Sequence, residues 1–239
     1  MRALARGLLD LLLPPLCVRC AALAPEGMDL CDACLRALPG FTDPDPPPAG
    51  IAACAAGAAY RGEMLEWIRR FKYPARGLAG LDAAAVGFLR SVIRTAAHEV
   101  AFTTPDLVVP VPLHARALRR RGYNPAQLLA RSVACEVGSA VDPTALIRVR
   151  ETRSQTGLTR GERRRNVRGA FRARTRLRAP ATVWLVDDVV TTGSTVAESA
   201  RALAEAGAET LIVVCAARTP RSDRSPEAPR PTAGLRRTL

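Results

Sequence analysis

Residues 183–195 read VWLVDDVVTTGST, an apolar run that leads into two acidic residues and then into a turn rich in hydroxyl groups. Apolar residues recur at helical spacing over residues 194–206. The pattern predicts a buried strand, a tight loop and a helix whose N-terminal amides and dipole favour a phosphate group. Gly193 lets the backbone approach such a phosphate closely.

The acidic and hydroxyl groups around this loop suit two parts of one ligand. Asp187 and Asp188 can accept hydrogen bonds from vicinal hydroxyls, while the amides and hydroxyls of the loop can donate to a phosphate. A sugar with a 5-phosphate satisfies both. The alternative is an ordinary strand–turn–helix with a Thr or Ser N-cap and a metal-binding aspartate pair. The predicted ligand-binding residues are Asp187, Asp188, Val189, Val190, Thr191, Thr192, Gly193, Ser194 and Thr195.

Strand and helix patterns alternate along most of the chain. Strands of about five residues that alternate with helices of about twelve predict an α/β fold, with a parallel sheet flanked by helices. Ligands of such sheets bind beyond the carboxyl ends of the strands, where the strand order reverses. The predicted strands are 107–111, 145–149, 182–186 and 210–216, and the predicted helices are 83–100, 124–137 and 194–206.

Seven cysteines divide into a cluster of four and three that lie apart. Cys17, Cys20, Cys31 and Cys34 form two CxxC pairs separated by ten residues, a spacing typical of a structural Zn²⁺ site in a small zinc-ribbon-like module. Two disulfides or a thioredoxin-like redox site are the alternatives. The remaining three lie in apolar surroundings and are predicted to be buried core thiols. They are Cys54, Cys135 and Cys215.

The two ends of the chain differ in composition from its middle. Asp10 and Pro14 interrupt the leucine-rich run at residues 1–16, so we predict an amphipathic helix rather than a signal peptide, no transmembrane segment and a cytoplasmic location. The formal net charge of +13 favours anionic partners, either a phosphorylated metabolite or nucleic acid. The predicted divisions are the helix and zinc module at 1–38, a Pro-rich linker at 39–50, the α/β domain at 51–217 and a disordered basic tail at 218–239.

The sequence VWLVDDVVTTGST resembles the phosphoribosyl pyrophosphate (PRPP)-binding signature of type I phosphoribosyltransferases. Further segments narrow the resemblance to the ComF (GntX-like) family of competence-associated proteins, over residues 8–217. Trp184 and Pro125 depart from the family pattern. The segments are the cysteine module, residues 60–62, 72–73, 109–112, 121–124 and 163–166, and Arg116, Gln155 and Phe171.

The resemblance implies roles for individual residues. The acidic pair would bind the ribose 2- and 3-hydroxyls, and residues 191–195 would bind the 5-phosphate of PRPP together with Mg²⁺. Lys72, Arg116 and Arg121 are candidate pyrophosphate contacts. The arginine-rich stretch at 148–178 would correspond to a mobile loop over the site, from which Arg153, Arg163 or Arg168 can reach phosphate.

Three functions fit these expectations. The first is an enzyme that transfers phosphoribosyl to an unidentified acceptor and releases pyrophosphate, without a protein nucleophile. The second is a non-catalytic accessory protein of DNA uptake that binds PRPP or single-stranded DNA, with other competence proteins as partners. The third is a regulatory protein that uses the PRPP pocket as a sensor. The arginine-rich stretch contains Phe171 as its only aromatic residue, so base stacking gives the DNA hypothesis little support.

Overall fold

A parallel four-stranded sheet in the order β1–β6–β5–β2 forms the centre of the protein. The computed structural model describes residues 14–40, 46–74, 81–152, 159–174, 176–177 and 181–220. The predicted α/β fold with a parallel sheet is confirmed. The strands are β1 (Ala53–Ala59), β2 (Leu107–Pro110), β3 (Leu146–Arg148), β4 (Phe171–Ala173), β5 (Ala181–Val190) and β6 (Ala208–Arg218). The helices are α1 (Asp32–Arg36), α2 (Glu63–Lys72), α3 (Ala83–Glu99), α4 (Ala115–Arg121), α5 (Pro125–Val137), α6 (Arg160–Val167) and α7 (Ser194–Glu205).

Hydrophobic side chains on the two faces of the sheet form two cores. Trp184 and Val186 of β5 point to the core that α2, α3 and α5 cover. Val183 and Leu185 point to the other core, which α7 and the β3–β4 pair cover. A strand buried on both faces needs a continuous apolar run, and this explains why residues 183–186 contain no polar alternation.

Strand β1 was not predicted because its sequence, ACAAGAA, is rich in alanine and has little intrinsic strand preference. It forms because it pairs with β6 over its length. Gly57 lies so close to α3 that an added Cβ would stand 2.1 Å from the carbonyl oxygen of Val92. A small residue is therefore required where this strand packs against the helix.

Helix α2 was also not predicted, although its sequence contains a usable signal. Met64, Ile68 and Phe71 recur at helical spacing and are all buried. Acidic residues lie in its first turn and basic residues in its last, which complements the helix dipole. The helix ends at Lys72, and this residue reaches the candidate site described below.

The cysteine module packs directly on α3. The backbone N–H of Asp29 donates to Oγ of the buried Ser91 at 2.8 Å. A Cβ on Gly87 would stand 2.8 Å from Cγ of Asp29, so the two segments are in close contact. The leucine-rich helix predicted at the N-terminus falls mainly at residues 1–13, outside the described residues.

Two of the three isolated cysteines are not core thiols as predicted. Cys215 is buried, whereas Cys54 is half-buried and Cys135 is exposed. Cys135 lies in α5 directly after the buried pair Val133 and Ala134, so the helical rotation carries its side chain away from the core. The run of apolar neighbours was therefore misleading, because only one face of a helix is buried.

The arginine-rich stretch contains more regular structure than the predicted loop. β3 and β4 pair antiparallel, and α6 begins with a capping box between Thr159 and Glu162. Val167, Ala170 and Phe171 are buried and attach the stretch to the core beneath α7. Residues 153–158 lie outside the described residues.

The described parts of the predicted linker contact the α/β domain. The N–H of Ala59 donates to the carbonyl of Pro39 at 2.7 Å, and Pro48 packs on the loop at Gly193. Strand β6 extends to Arg218, the first residue of the predicted tail, whose residues 221–239 lie outside the described part of the chain. No helix among the described residues is both long and apolar enough to cross a membrane.

Candidate functional site

The acidic pair lies near the carboxyl end of β5, the central strand whose sequence runs into it. Asp187 is half-buried and Asp188 is buried. Nζ of Lys72 is 2.7 Å from Oδ1 of Asp188, so the last residue of α2 forms an ion pair within the site. Lys72 is thus one predicted phosphate-binding residue that the fold brings to the acidic pair.

The two carboxyl groups strongly affect each other's protonation. Burial and the negative charge of Asp188 raise the pKa of Asp187 to about 7, although Lys72 and Arg148 oppose the rise. Burial disfavours the charged form of Lys72, but the charges of Asp188 and Asp187 outweigh burial and raise the pKa of Lys72. The site therefore holds a lysinium beside one ionised carboxylate and a second carboxyl that titrates near neutrality.

Arg148 is a basic residue of this site to which the sequence analysis assigned no role. It is half-buried at the end of β3, and burial lowers the pKa of its guanidinium although the charge of Asp187 opposes this. The guanidinium lies over the ring of Phe171 at 5.3 Å. Its buried Nε has no hydrogen-bond partner in the described part of the chain. A buried guanidinium with an unused donor suits an anionic ligand, and only the pairing of β3 with β4 could have revealed it.

The loop after the acidic pair forms a small cradle at the start of α7. Gly193 is the N-cap residue, with φ of 77°, and it provides no side-chain cap to the helix. The cradle has a volume of about 40 Å³ and is lined by Asp187 and residues 189–196. Backbone amides at an uncapped helix N-terminus favour an anion there.

Polar side chains complete the cradle. The hydroxyls of Thr192 and Ser194 lie 3.0 Å apart. Nη1 of Arg163, from α6, donates to Oγ1 of Thr191 at 3.2 Å. The arginine-rich stretch therefore reaches this loop through Arg163, one of the residues predicted to do so.

The proline-rich segment 46–50 supports the loop from behind. A Cβ on Gly193 would stand 2.7 Å from Cγ of Pro48, so both the contact and the positive φ require glycine. Nη2 of the buried Arg218 donates to the carbonyl of Pro46 at 2.7 Å and fixes the segment. On this side of the loop lies an open groove of about 1210 Å³ whose lining includes Arg164, Arg165, Arg168 and Arg201.

The other predicted phosphate-binding arginines make different contacts. Nη1 of Arg116 donates to Glu151 at 3.0 Å on the surface, and Arg121 lies over the ring of Tyr73 at 5.0 Å. Arg168 lines the groove rather than the cradle, and Arg153 lies outside the described residues. Contact with the acidic pair or with the loop is thus seen for Lys72 and Arg163 among these predicted cations.

The four clustered cysteines have the geometry of a metal site. Their Sγ atoms all lie within 4.8 Å of one another, and those of Cys20 and Cys31 are 3.7 Å apart. Tetrahedral ligation at a Zn–S distance of about 2.3 Å requires sulfurs roughly 3.8 Å apart. Burial opposes ionisation of Cys17, yet backbone N–H groups lower its pKa to about 6, which favours the thiolate that a metal needs. The site fits Zn²⁺.

Comparisons with known proteins agree with the sequence resemblance. A family model described as "Phosphoribosyl transferase domain" matches residues 88–230. DNA utilization protein YhgH of Salmonella typhimurium is 34% identical over 204 residues, which are 85% of this chain and 84% of that protein. Competence protein F of Haemophilus influenzae is 34% identical over 148 residues, 61% of this chain and 64% of that protein.

A solved structure is similar over part of the chain. Glutamine PRPP amidotransferase from B. subtilis, complexed with ADP and GMP, matches with a TM-score of 0.40 and 20% identity. The match covers 61% of this chain and 30% of the amidotransferase, so it spans less than a third of that protein.

Proposed function

Because the chain belongs to the ComF/YhgH family of phosphoribosyl transferase domain proteins, we propose that it binds PRPP at the carboxyl end of β5 and transfers the phosphoribosyl group to an acceptor. One observation carries this proposal: the acidic pair and the uncapped cradle are consecutive in sequence, and basic side chains from α2 and β3 lie beside the acids. The carboxylates would bind the ribose hydroxyls, and the cradle would bind the 5-phosphate.

The proposed reaction needs charge stabilisation more than a nucleophilic side chain. A bond forms between the acceptor and C1 of the ribose as the C1–O bond to pyrophosphate breaks, and pyrophosphate leaves with the bonding electrons. Mg²⁺ bound with PRPP supplies positive charge to the leaving group. Lys72 uses one of its three donors on Asp188, which leaves two for ligand oxygens. Arg148 offers its unused Nε–H to the same anionic ligand.

Calorimetry with PRPP and Mg²⁺ tests the binding site. The double variant Asp187→Asn/Asp188→Asn keeps the shape of both side chains but weakens their ability to accept hydrogen bonds from a diol. We expect PRPP affinity to fall at least about ten-fold, since hydrogen bonds to charged groups contribute roughly 1.5–3 kcal/mol each. Glu66→Gln is the control, because Glu66 pairs with Arg69 on the surface of α2. Equal affinity in the wild type and the double variant would end the assignment.

Release of pyrophosphate tests transfer itself. Wild-type protein is incubated with PRPP, Mg²⁺ and one candidate acceptor at a time, from purines, pyrimidines and short single strands. We expect release above the acceptor-free rate with at least one of them, and loss of release in the Asp187→Asn/Asp188→Asn variant. Release with no acceptor in a protein that binds PRPP favours the non-catalytic alternatives.

A second candidate function is an accessory role in DNA handling. The names of the relatives, DNA utilization protein and competence protein, favour it, and so does the arginine-lined groove beside the cradle. Fluorescence anisotropy with single-stranded DNA at two salt concentrations tests it. Specific binding should survive at the higher salt and weaken in Arg164→Gln/Arg168→Gln, whereas a signal abolished by salt and unchanged by the variant indicates nonspecific charge attraction.

We also propose that the four-cysteine cluster holds a structural Zn²⁺. Four cysteine ligands leave no open coordination position for a catalytic water, so the metal would stabilise a module that has little core of its own.

A further inference from the structure

Segments that follow the two edge strands of the sheet meet above its carboxyl edge. Helix α2 follows β1 and ends at Lys72, while α4 follows β2 and ends at Arg121. The guanidinium of Arg121 lies 5.0 Å from the ring centroid of Tyr73, the residue after α2. A cation and an aromatic face are thus paired where two distant parts of the chain converge.

A second contact fixes these segments to each other. The hydroxyl of Tyr123 donates to the carbonyl of Phe71, and the two rings pack edge to face with centroids 6.5 Å apart. Gly122, with φ of 84°, ends α4 and lets the chain turn between Arg121 and Tyr123. The arrangement is held by buried partners and does not rely on the exposed stack alone.

Tyr73 itself contributes little to the core. Its side chain is 63% exposed, whereas Phe71 is buried and Tyr123 is half-buried. An exposed tyrosine ring that carries a guanidinium on it offers a π-face and a positive charge to a planar ligand.

The position of the stack relates it to the acidic pair. Lys72 lies between Phe71 and Tyr73 in sequence and is bonded to Asp188 at 2.7 Å. Burial raises the pKa of the Tyr123 phenol, and the charges of Arg121 and Asp188 act on it in opposite directions. Tyr123 therefore lies within electrostatic reach of both the stack and the acids.

We propose that Tyr73 and Arg121 form the platform on which the acceptor stacks, and that the acceptor is a nucleobase, either free or within a single strand. This inference deepens the proposed transfer function and rests on it for the role of the base. Stacking of a base on an aromatic ring or guanidinium is sequence-tolerant, because every base has a π-face. The platform would hold the base beside the ribose that the acidic pair binds.

Quenching of 2-aminopurine fluorescence tests the platform directly, because this base loses fluorescence when it stacks. One arm uses the free base and the other a single 2-aminopurine within a short oligothymidine, each with and without PRPP and Mg²⁺. Wild type and Tyr73→Phe should quench in at least one arm, and that arm identifies the source of the base. Tyr73→Leu should bind roughly five- to fifty-fold more weakly, the range that loss of one stacked base implies.

The controls separate this inference from the proposed function. Phe102→Leu removes an aromatic ring that is 76% exposed and lies before β2, toward the opposite edge of the sheet, and it should leave quenching unchanged. PRPP affinity should be equal in wild type and Tyr73→Leu. Lack of quenching by wild type in every arm, or equal quenching by Tyr73→Leu, overturns the platform even where PRPP binds. Quenching without any PRPP binding overturns the transfer function and leaves the stacking site.

Discussion

Asp187 and Asp188 are chemically identical neighbours in sequence, but their surroundings give them different properties. Asp188 is buried and has the ammonium of Lys72 at 2.7 Å. Asp187 lies next to that ionised carboxylate, and burial adds to the repulsion, so its pKa rises to about 7. A pair that shares charge in this way can bind a diol with one carboxylate fixed and the other adjustable near neutral pH.

The raised pKa of Asp187 predicts a pH-dependent loss of stability. The native state keeps this proton between about pH 4 and about pH 7, where the unfolded chain has lost it, so stability falls as pH rises through that range. Between about pH 6 and about pH 8 this group should lower the free energy of unfolding by roughly 1 kcal/mol. Urea unfolding of wild type and Asp187→Asn at both pH values measures it: the variant should gain that amount relative to wild type, and a constant difference contradicts the raised pKa.

Removing the charge of Lys72 should destabilise the protein through its partner. Lys72→Met leaves Asp188 buried without its ion pair, and the expected cost is about 1–3 kcal/mol, below the value for a fully buried pair because Lys72 is partly exposed. Arg69→Met on the same helix is the matched control, since its pair with Glu66 is exposed and should change stability by less than about 0.5 kcal/mol. Urea unfolding at neutral pH compares them, and similar losses in both variants would exclude a special role for the Lys72–Asp188 pair.

At the scale of elements, local pattern predicted those strands and helices whose burial shows in their own sequence. β5 and α7 carry a continuous apolar run and a helical repeat, and both were predicted to within a few residues. β1 escaped because ACAAGAA becomes a strand only through pairing with β6, more than a hundred residues away. The loop of the site followed from its motif, but Arg148 and Tyr73 did not, because their positions depend on contacts between segments distant in sequence.

The fit between β1 and α3 predicts a strong effect of one methyl group. In Gly57→Ala the new Cβ would stand 2.1 Å from the carbonyl oxygen of Val92, which is backbone and cannot rotate away. Overpacking of this kind should cost at least about 1–3 kcal/mol. Gly161→Ala in α6 is the control, because nothing lies within 4 Å of its added Cβ and alanine favours a helix. Thermal unfolding should show a lower Tm for the first variant and an equal or higher Tm for the second; no loss in Gly57→Ala contradicts the packing.

At the scale of the whole molecule, the cysteine module and the α/β domain share one core. Cys17, Leu30 and Cys34 belong to the same buried cluster as Phe88 and Val92 of α3. Nη2 of Arg19 also forms an ion pair of 2.8 Å with Glu63 at the start of α2, the helix that ends at Lys72. The module is therefore a packed part of the wall behind the site, and its integrity bears on the helices that hold the site residues.

Loss of the proposed zinc should accordingly destabilise more than the module. In Cys31→Ser/Cys34→Ser two of the four ligands are replaced, so metal analysis should find zinc in the wild type and little in the variant. We expect a Tm lower by several degrees, because the buried contacts of the module with α3 depend on the metal, while the core on the far face of the sheet stays cooperative. Cys135→Ser, at an exposed thiol, should change neither zinc content nor Tm. A double variant that unfolds at the wild-type temperature would show that the module folds and packs without a metal.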